Sequence, residues 1–165
     1  MVNEKIFYLT EEGLVKFKAE YRHLKKIKSL KTRGEFPKAW HSEDLNPEYL
    51  SFQEDLNLLE TRLAEVTVIL KNAELIKIPP KEKRNTVNLG AAVLVELNGQ
   101  IEEFSIVGSL EADATNNKIS NESPVGQALI GKRAGETVKI ITPIVNHSCK
   151  ILKIKYKNLQ RKIIH

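Results

Sequence analysis

Apolar residues recur along the first half of the chain at alternating steps of three and four, and along much of the second half at every other position. Steps of three and four mark helices that pack along one stripe, and alternation marks strands with one buried face. The helical pattern is cleanest over residues 47–75. Tyr49, Phe52, Leu56, Leu59, Leu63, Val66, Leu70 and Ala73 follow in steps of 3, 4, 3, 4, 3, 4 and 3. Asn46 suits the N-cap, and Pro47 suits the first helical position, where its missing N–H costs nothing. At 1.5 Å per residue this helix would be roughly 40 Å long. An earlier helix is expected from Thr10, a candidate N-cap, to about residue 33, with Glu11 and Glu12 at the positive end of its dipole. Its seam runs Leu14, Phe17, Tyr21, Leu24. Strict phase next requires residues 28 and 31, but both are Lys, so the stripe is expected to drift onto Ile27 and Leu30. Gly34 and Pro37 stop the helix. Two such helices predict an antiparallel coiled-coil hairpin over residues 1–77, with its tip at about 34–46.

Ile78-Pro79-Pro80 ends the hairpin, and residues 78–86 read as a charged linker. Beyond residue 88 the period is two. Ala91–Leu97 and Gln100–Val107 are expected strands, joined by Asn98-Gly99, a type I′ turn signal. Ser123 can cap a short helix that starts at Pro124, runs through Ala128 and stops near Gly131. Thr137–Pro143 and Cys149–Tyr156 are two further strands. Residues 87–157 therefore form a β-rich domain and 158–165 a basic tail, and the fold class is α+β.

Charge sharpens this picture. The net charge is +5, but residues 1–33 carry nine Lys/Arg against four Asp/Glu, and residues 34–77 carry four against nine. A basic helix followed by an acidic one lets the two attract along their flanks. Cys149 is the only cysteine, so no intrachain disulfide forms. No apolar run approaches the ~18 residues of a membrane span, and Met1–Lys5 lack a signal-peptide core. A cytoplasmic protein without membrane association is expected.

Few groups at the tip carry chemistry. Glu43 and Asp44 are adjacent, just before the Asn46 cap. As hard oxygen donors they could share a Mg²⁺, which keeps several waters and needs only one or two protein carboxylates. A partner would complete the shell. The same acids also complement a helix N-terminus, and the residues alone leave both readings open. His41 has no second His or Cys at metal spacing. The basic run Lys16, Lys18, Arg22, Lys25, Lys26, Lys28, Lys31, Arg33 could hold a nucleic-acid backbone, DNA or RNA. It could equally pair with Glu54, Asp55 and Glu60 of the second helix. No P-loop, dinucleotide fingerprint, zinc spacing or Ser/His/Asp order is present.

Several stretches, in order and over nearly the whole chain, resemble the bacterial Gre transcript-cleavage factors. Tyr8-Leu9-Thr10-Glu11-Glu12-Gly13-Leu14-Val15-Lys16-Phe17 resembles the family's opening. Asp44-Leu45-Asn46-Pro47-Glu48-Tyr49 resembles its tip motif, and Leu70-Lys71-Asn72-Ala73-Glu74-Leu75-Ile76 the end of its second helix. Ile106-Val107-Gly108, Glu111-Ala112-Asp113, Ile119-Ser120 and Ser123-Pro124-Val125-Gly126-Gln127-Ala128-Leu129-Ile130-Gly131-Lys132 extend the match.

The resemblance implies a hairpin inserted into the secondary channel of RNA polymerase. It implies an FKBP-like C-terminal domain docking at the channel rim, with Ser123, Pro124, Gly126 and Gly131 as the docking residues. Asp44, assisted by Glu43, would hold a Mg²⁺ shared with the polymerase, and no cofactor would be bound stably by the chain alone. Lys18, Arg22, Lys25, Lys26 and Arg33 would face the 3′ segment of the nascent RNA. The chain would be a monomer and not an enzyme. It would stimulate the polymerase's own two-metal hydrolysis of backtracked RNA. One departure falls at the tip. The family's motif has two residues, the second of them Glu, where Asp44-Leu45 here runs directly into Asn46. A channel-binding regulator or inhibitor without cleavage stimulation is the alternative reading. A prolyl isomerase is a third, suggested by the implied FKBP-like fold alone. The β-rich half has only Phe104 and Tyr156 to line an aromatic pocket.

Overall fold

The computed structural model describes residues 5–34, 47–141 and 146–156. They fall into two units. One is built on Glu12–Ala73, and the other joins Ile6–Glu11 to the chain from Glu74 onward.

The first unit is a pair of helices, α1 (Glu11–Arg33) and α2 (Pro47–Lys71). Their partners run in opposite directions. Glu20 pairs with Arg62 at 2.6 Å, Lys28 with Glu60 at 2.7 Å and Lys31 with Asp55 at 2.8 Å, so the pairing is antiparallel. The α2 stripe appears as the spacing predicts: Tyr49, Phe52, Leu56, Leu59, Leu63 and Leu70 are half-buried and Val66 is fully buried.

Two expectations are corrected. The α1 stripe does not drift onto Leu30, which is 64% exposed. Strict phase holds, and Lys28 and Lys31 occupy the seam half-buried because each meets a carboxylate of α2. Ile27 is half-buried beside them. The second helix also stops at Lys71 instead of residue 75. The Asn72 N–H still reaches the Val68 carbonyl at 3.1 Å, but the next residues enter a strand. That strand, β2 (Ala73–Leu75), pairs with β1 (Phe7–Leu9), and the Ile76 N–H donates to the Leu9 carbonyl at 2.8 Å. Once the backbone groups of 73–76 serve a sheet they cannot continue an i→i−4 ladder.

The second unit holds a five-stranded mixed sheet. Its strands are β3 (Ala91–Leu97), β4 (Gln100–Val107), β5 (Lys118–Ser120), β6 (Thr137–Ile141) and β7 (Asn146–Tyr156), in the order β5-β4-β3-β7-β6. Only β4 and β5 are parallel. The β3–β4 hairpin turns at Asn98 (φ 52°) and Gly99 (φ 78°), both left-handed as a type I′ turn requires. The short helix α3 (Pro124–Leu129) opens on Ser123, whose hydroxyl accepts the Gly126 N–H at 3.1 Å. One face of the sheet and α3 enclose Val93, Val95, Ile106, Leu129, Cys149 and Ile151, all fully buried. The segment before the sheet is folded onto it. Residues Lys81–Lys83 form a 3₁₀ turn, Thr86 bridges Arg133, and Val87 is fully buried. β1 docks against Gly108, where a Cβ would overlap the Tyr8 carbonyl. Among the described residues no helix is long and apolar enough to cross a membrane.

Candidate functional site

The two helices are nearly equal, with 23 and 25 residues. At 1.5 Å per residue each is roughly 35 Å or a little more, and that length separates Arg33 and Pro47 from the opposite ends of their own helices. Pro47 opens α2, with Glu48 in its first turn. Glu43, Asp44 and His41 lie outside the described residues. Among those described, no group of three or more His, Cys, Asp or Glu is placed to hold a metal ion.

Apart from Lys16, which is exposed on another face, the basic run divides into two sets. Lys28 and Lys31 are engaged by Glu60 and Asp55. Glu54, the other expected partner, makes no ion pair among the described residues. Lys18, Arg22, Lys25, Lys26 and Arg33 are all exposed. At 100° per residue these five fall within an arc of roughly 100°, on one flank of α1 beside the seam. Lys25 lies 5.8 Å from the centre of the Tyr21 ring. The flank is thus a row of solvated cations suited to a polyanion, while the seam cations hold the hairpin together. Arg62 takes neither role alone. Glu20 first, and then Glu65, hold its guanidinium charged by raising its pKa further.

The residues expected to dock the β domain have clear local functions. Ser123 caps α3. Gly126 is buried, and a Cβ there would overlap the Ser120 carbonyl. Gly131 has φ +80° where the chain leaves α3. Pro124 is exposed at the start of that helix. These four come together, and three of them shape the loop around α3. Phe104 and Tyr156 pack against the core, and the Tyr156 hydroxyl is committed to the Thr86 carbonyl at 2.6 Å. Cys149 lies within the core, and burial pushes its thiol pKa up.

Sequence reasoning missed Glu111, whose carboxylate accepts both the Thr10 N–H and the Thr10 hydroxyl at 2.6 Å. With the partners 101 positions apart in the chain, no local pattern could reveal it.

Residues 7–75, spanning both helices, fit the family described as "Transcription elongation factor, N-terminal". Residues 81–156, spanning the five-stranded sheet, fit "Transcription elongation factor, GreA/GreB, C-term". The chain belongs to the GreA/GreB family of transcription elongation factors. Its relatives confirm this over full length. The transcription elongation factor GreA of Thermomicrobium roseum is 37% identical over 157 residues, covering 94% of this chain and all of the relative. That of Clostridium acetobutylicum is 39% identical over 160 residues, with the same coverage. Among solved structures, Gfh1, the GreA factor homolog 1 of Thermus thermophilus, covers 92% of this chain and 99% of its own at 22% identity. Its TM-score of 0.40 is too low for that likeness to bear on function. Gre-family proteins are elongation factors and not catalysts in their own right.

Proposed function

We propose that this Gre-family chain acts on RNA polymerase as a monomer in the cytoplasm. Its helical pair enters the secondary channel and stimulates cleavage of backtracked RNA by the polymerase active site. The observation that carries the reading is the sequence Glu43-Asp44, which falls in the chain between two helices that are each roughly 35 Å long. Asp44, with Glu43 beside it, supplies hard carboxylate oxygens that suit a Mg²⁺ shared with the polymerase. Such an ion, when bound, polarises the phosphodiester and lowers the pKa of an attacking water. The chain's own contribution is to bring the carboxylates to the reacting phosphate and hold them there. Lys18, Arg22, Lys25, Lys26 and Arg33 bind the backbone of the displaced RNA 3′ segment, so the factor's effect weakens as salt rises. Ser123, Pro124, Gly126 and Gly131 present the α3 loop to the channel rim.

The test adds purified protein and Mg²⁺ to backtracked elongation complexes and follows RNA length. Wild type is expected to shorten the transcript faster than the polymerase alone. Asp44→Ala is expected to lose roughly tenfold or more of that stimulation, the lower range of what even outer-shell partners of a metal contribute. Equal cleavage by the variant would remove Asp44 from the role. Binding to the polymerase with no shortening by wild type would leave a channel-bound regulator, the reading favoured by the two-residue gap at Asp44-Leu45-Asn46. Acceleration of prolyl isomerisation in a peptide would assign the β domain a separate activity.

A further inference from the structure

Two clefts meet on the second unit. The larger, about 670 Å³, is walled by Glu74 and Leu75 of β2, by Ile76 and Lys77, and by the turn carrying Glu82 and Lys83. The smaller, about 320 Å³, is walled by Leu152, Lys153 and Ile154 of β7 and by Arg84. Asn85 and Arg133 line both, so the two form one groove. None of Ser123, Pro124, Gly126 and Gly131 lines either part.

The walls are set in place before anything binds. The Tyr156 hydroxyl donates to the Thr86 carbonyl and accepts the Asn88 N–H at 3.0 Å. Arg84 Nε donates to the Pro79 carbonyl at 2.9 Å and fixes the turn between them. The β3–β7 register shifts at Leu94/Val95, leaving Leu152 without a partner opposite, so the bulge carries it to the groove wall. A fixed, concave site of this size is what ligand recognition uses.

Its charge is one-sided. Five cations line the groove: Lys77, Lys83, Arg84, Arg133 and Lys153. Glu74 and Glu82 are the acids, both in the larger cleft. Among the described residues no ion pair engages any of these seven. The ligand is therefore anionic at the end where Arg84, Arg133 and Lys153 meet. Apolar side chains line both parts, Tyr8, Leu75, Pro79 and Leu89 in the larger and Leu152 and Ile154 in the smaller. Glu74 and Glu82 would repel a continuous run of phosphates, and Tyr8 is the only aromatic that could stack a base. β2 also has β1 on one edge alone, and its other edge is unpaired among the described residues. An open strand edge accepts an extended peptide by main-chain hydrogen bonds.

We propose that this groove binds an extended acidic peptide segment of a protein partner. Its carboxylates meet Arg133, Arg84 and Lys153, and its apolar side chains enter the larger cleft beside β2. The site is separate from the α3 loop and stands whether or not the tip supports cleavage.

The experiment titrates the full-length chain with a short fluorescein-labelled peptide of alternating Glu and Leu, read by anisotropy and by amide chemical shifts. The expected result is saturable binding, with shifts grouped at Glu74–Leu75, Asn85–Asn88 and Ala134. R133E and R133Q should each weaken it roughly tenfold or more, as loss of an arginine anchor does, with circular dichroism unchanged. R22E, on the α1 flank, should bind as wild type, and a peptide with Gln in place of every Glu should not bind. The proposal is overturned by absence of binding, by R133Q binding as wild type, or by shifts confined to α1. Tighter binding of an oligouridylate of equal charge in the same groove would also overturn it, by naming nucleic acid as the occupant.

Discussion

Of the buried apolar residues among those described, only Val66 and Ile69 belong to the helical pair; the rest, apart from Leu9, lie from Val87 onward. The β unit stacks one sheet face against α3, so residues such as Val93 and Ile151 have neighbours on every side. Among the described residues each long helix has a single helical partner, and apart from Val66 its seam residues stay half-buried. Ion pairs at Glu20–Arg62, Lys28–Glu60 and Lys31–Asp55 supply what apolar packing does not. Such pairs contribute little net stability, because exposed charges are already well solvated. They do contribute direction, since each cation prefers one partner. The comparison sets a unit that depends on volume beside one that depends on alignment.

The sharpest test of this contrast is a cavity in each unit. Ile151→Ala should cost about 3–4 kcal/mol, because the site is sealed and cannot collapse. Leu59→Ala should cost roughly half that, because water reaches a half-buried seam. Urea titrations followed through amide peaks of each unit separate the two, and equal losses would break the comparison. Gly126→Ala should cost about 1–3 kcal/mol, because the added methyl meets the Ser120 backbone and not a flexible side chain. A double-mutant cycle on Glu20 and Arg62 should return about 0.5 kcal/mol, falling towards zero at about 1 M salt. A value that survives salt would mean that the pair is packed like a core contact.

The smallest effect lies in the β unit. Asp113 accepts from the Asn116 side chain at 2.6 Å and from the Thr115 N–H at 3.0 Å, and its pKa is lowered from 3.8, with Asn116 the first cause. A lowered folded-state pKa gives a contribution that is full above the ordinary value and lost as pH falls through the folded one. The stability difference between wild type and Asp113→Asn should therefore shrink only below pH 3.8. A difference that changes near neutrality would assign the effect to another group.

Much of the architecture was legible because it is periodic or punctuated. The α2 steps from Tyr49 to Leu70, the turn at Asn98-Gly99 and the cap at Ser123 each have a local physical cause. The strands β1, β2 and β5 were not legible, because three residues are too few to show alternation. Leu70 and Ala73 continued the helical step across a boundary set by pairing with β1, a contact distant in sequence. Lys28 and Lys31 misled for another reason. Their polarity argued for exposure, and only the facing Glu60 and Asp55 make the seam tolerable for them. Of the candidate site, the basic flank could be read from α1 alone. The groove around Arg133 could not, because its walls come from segments that share no motif.

The seam lysines also act as a ruler. Sliding α1 along α2 by one turn, about 5.4 Å, would carry Lys31 from Asp55 towards Phe52 or Leu59. The same slide would carry Lys28 from Glu60 towards Leu56 or Leu63. A seam of leucines alone would accept either displacement, since one leucine serves as well as the next. With charge written into two of its steps, the pair has one setting, and the register of the two helices is held to a fraction of a turn.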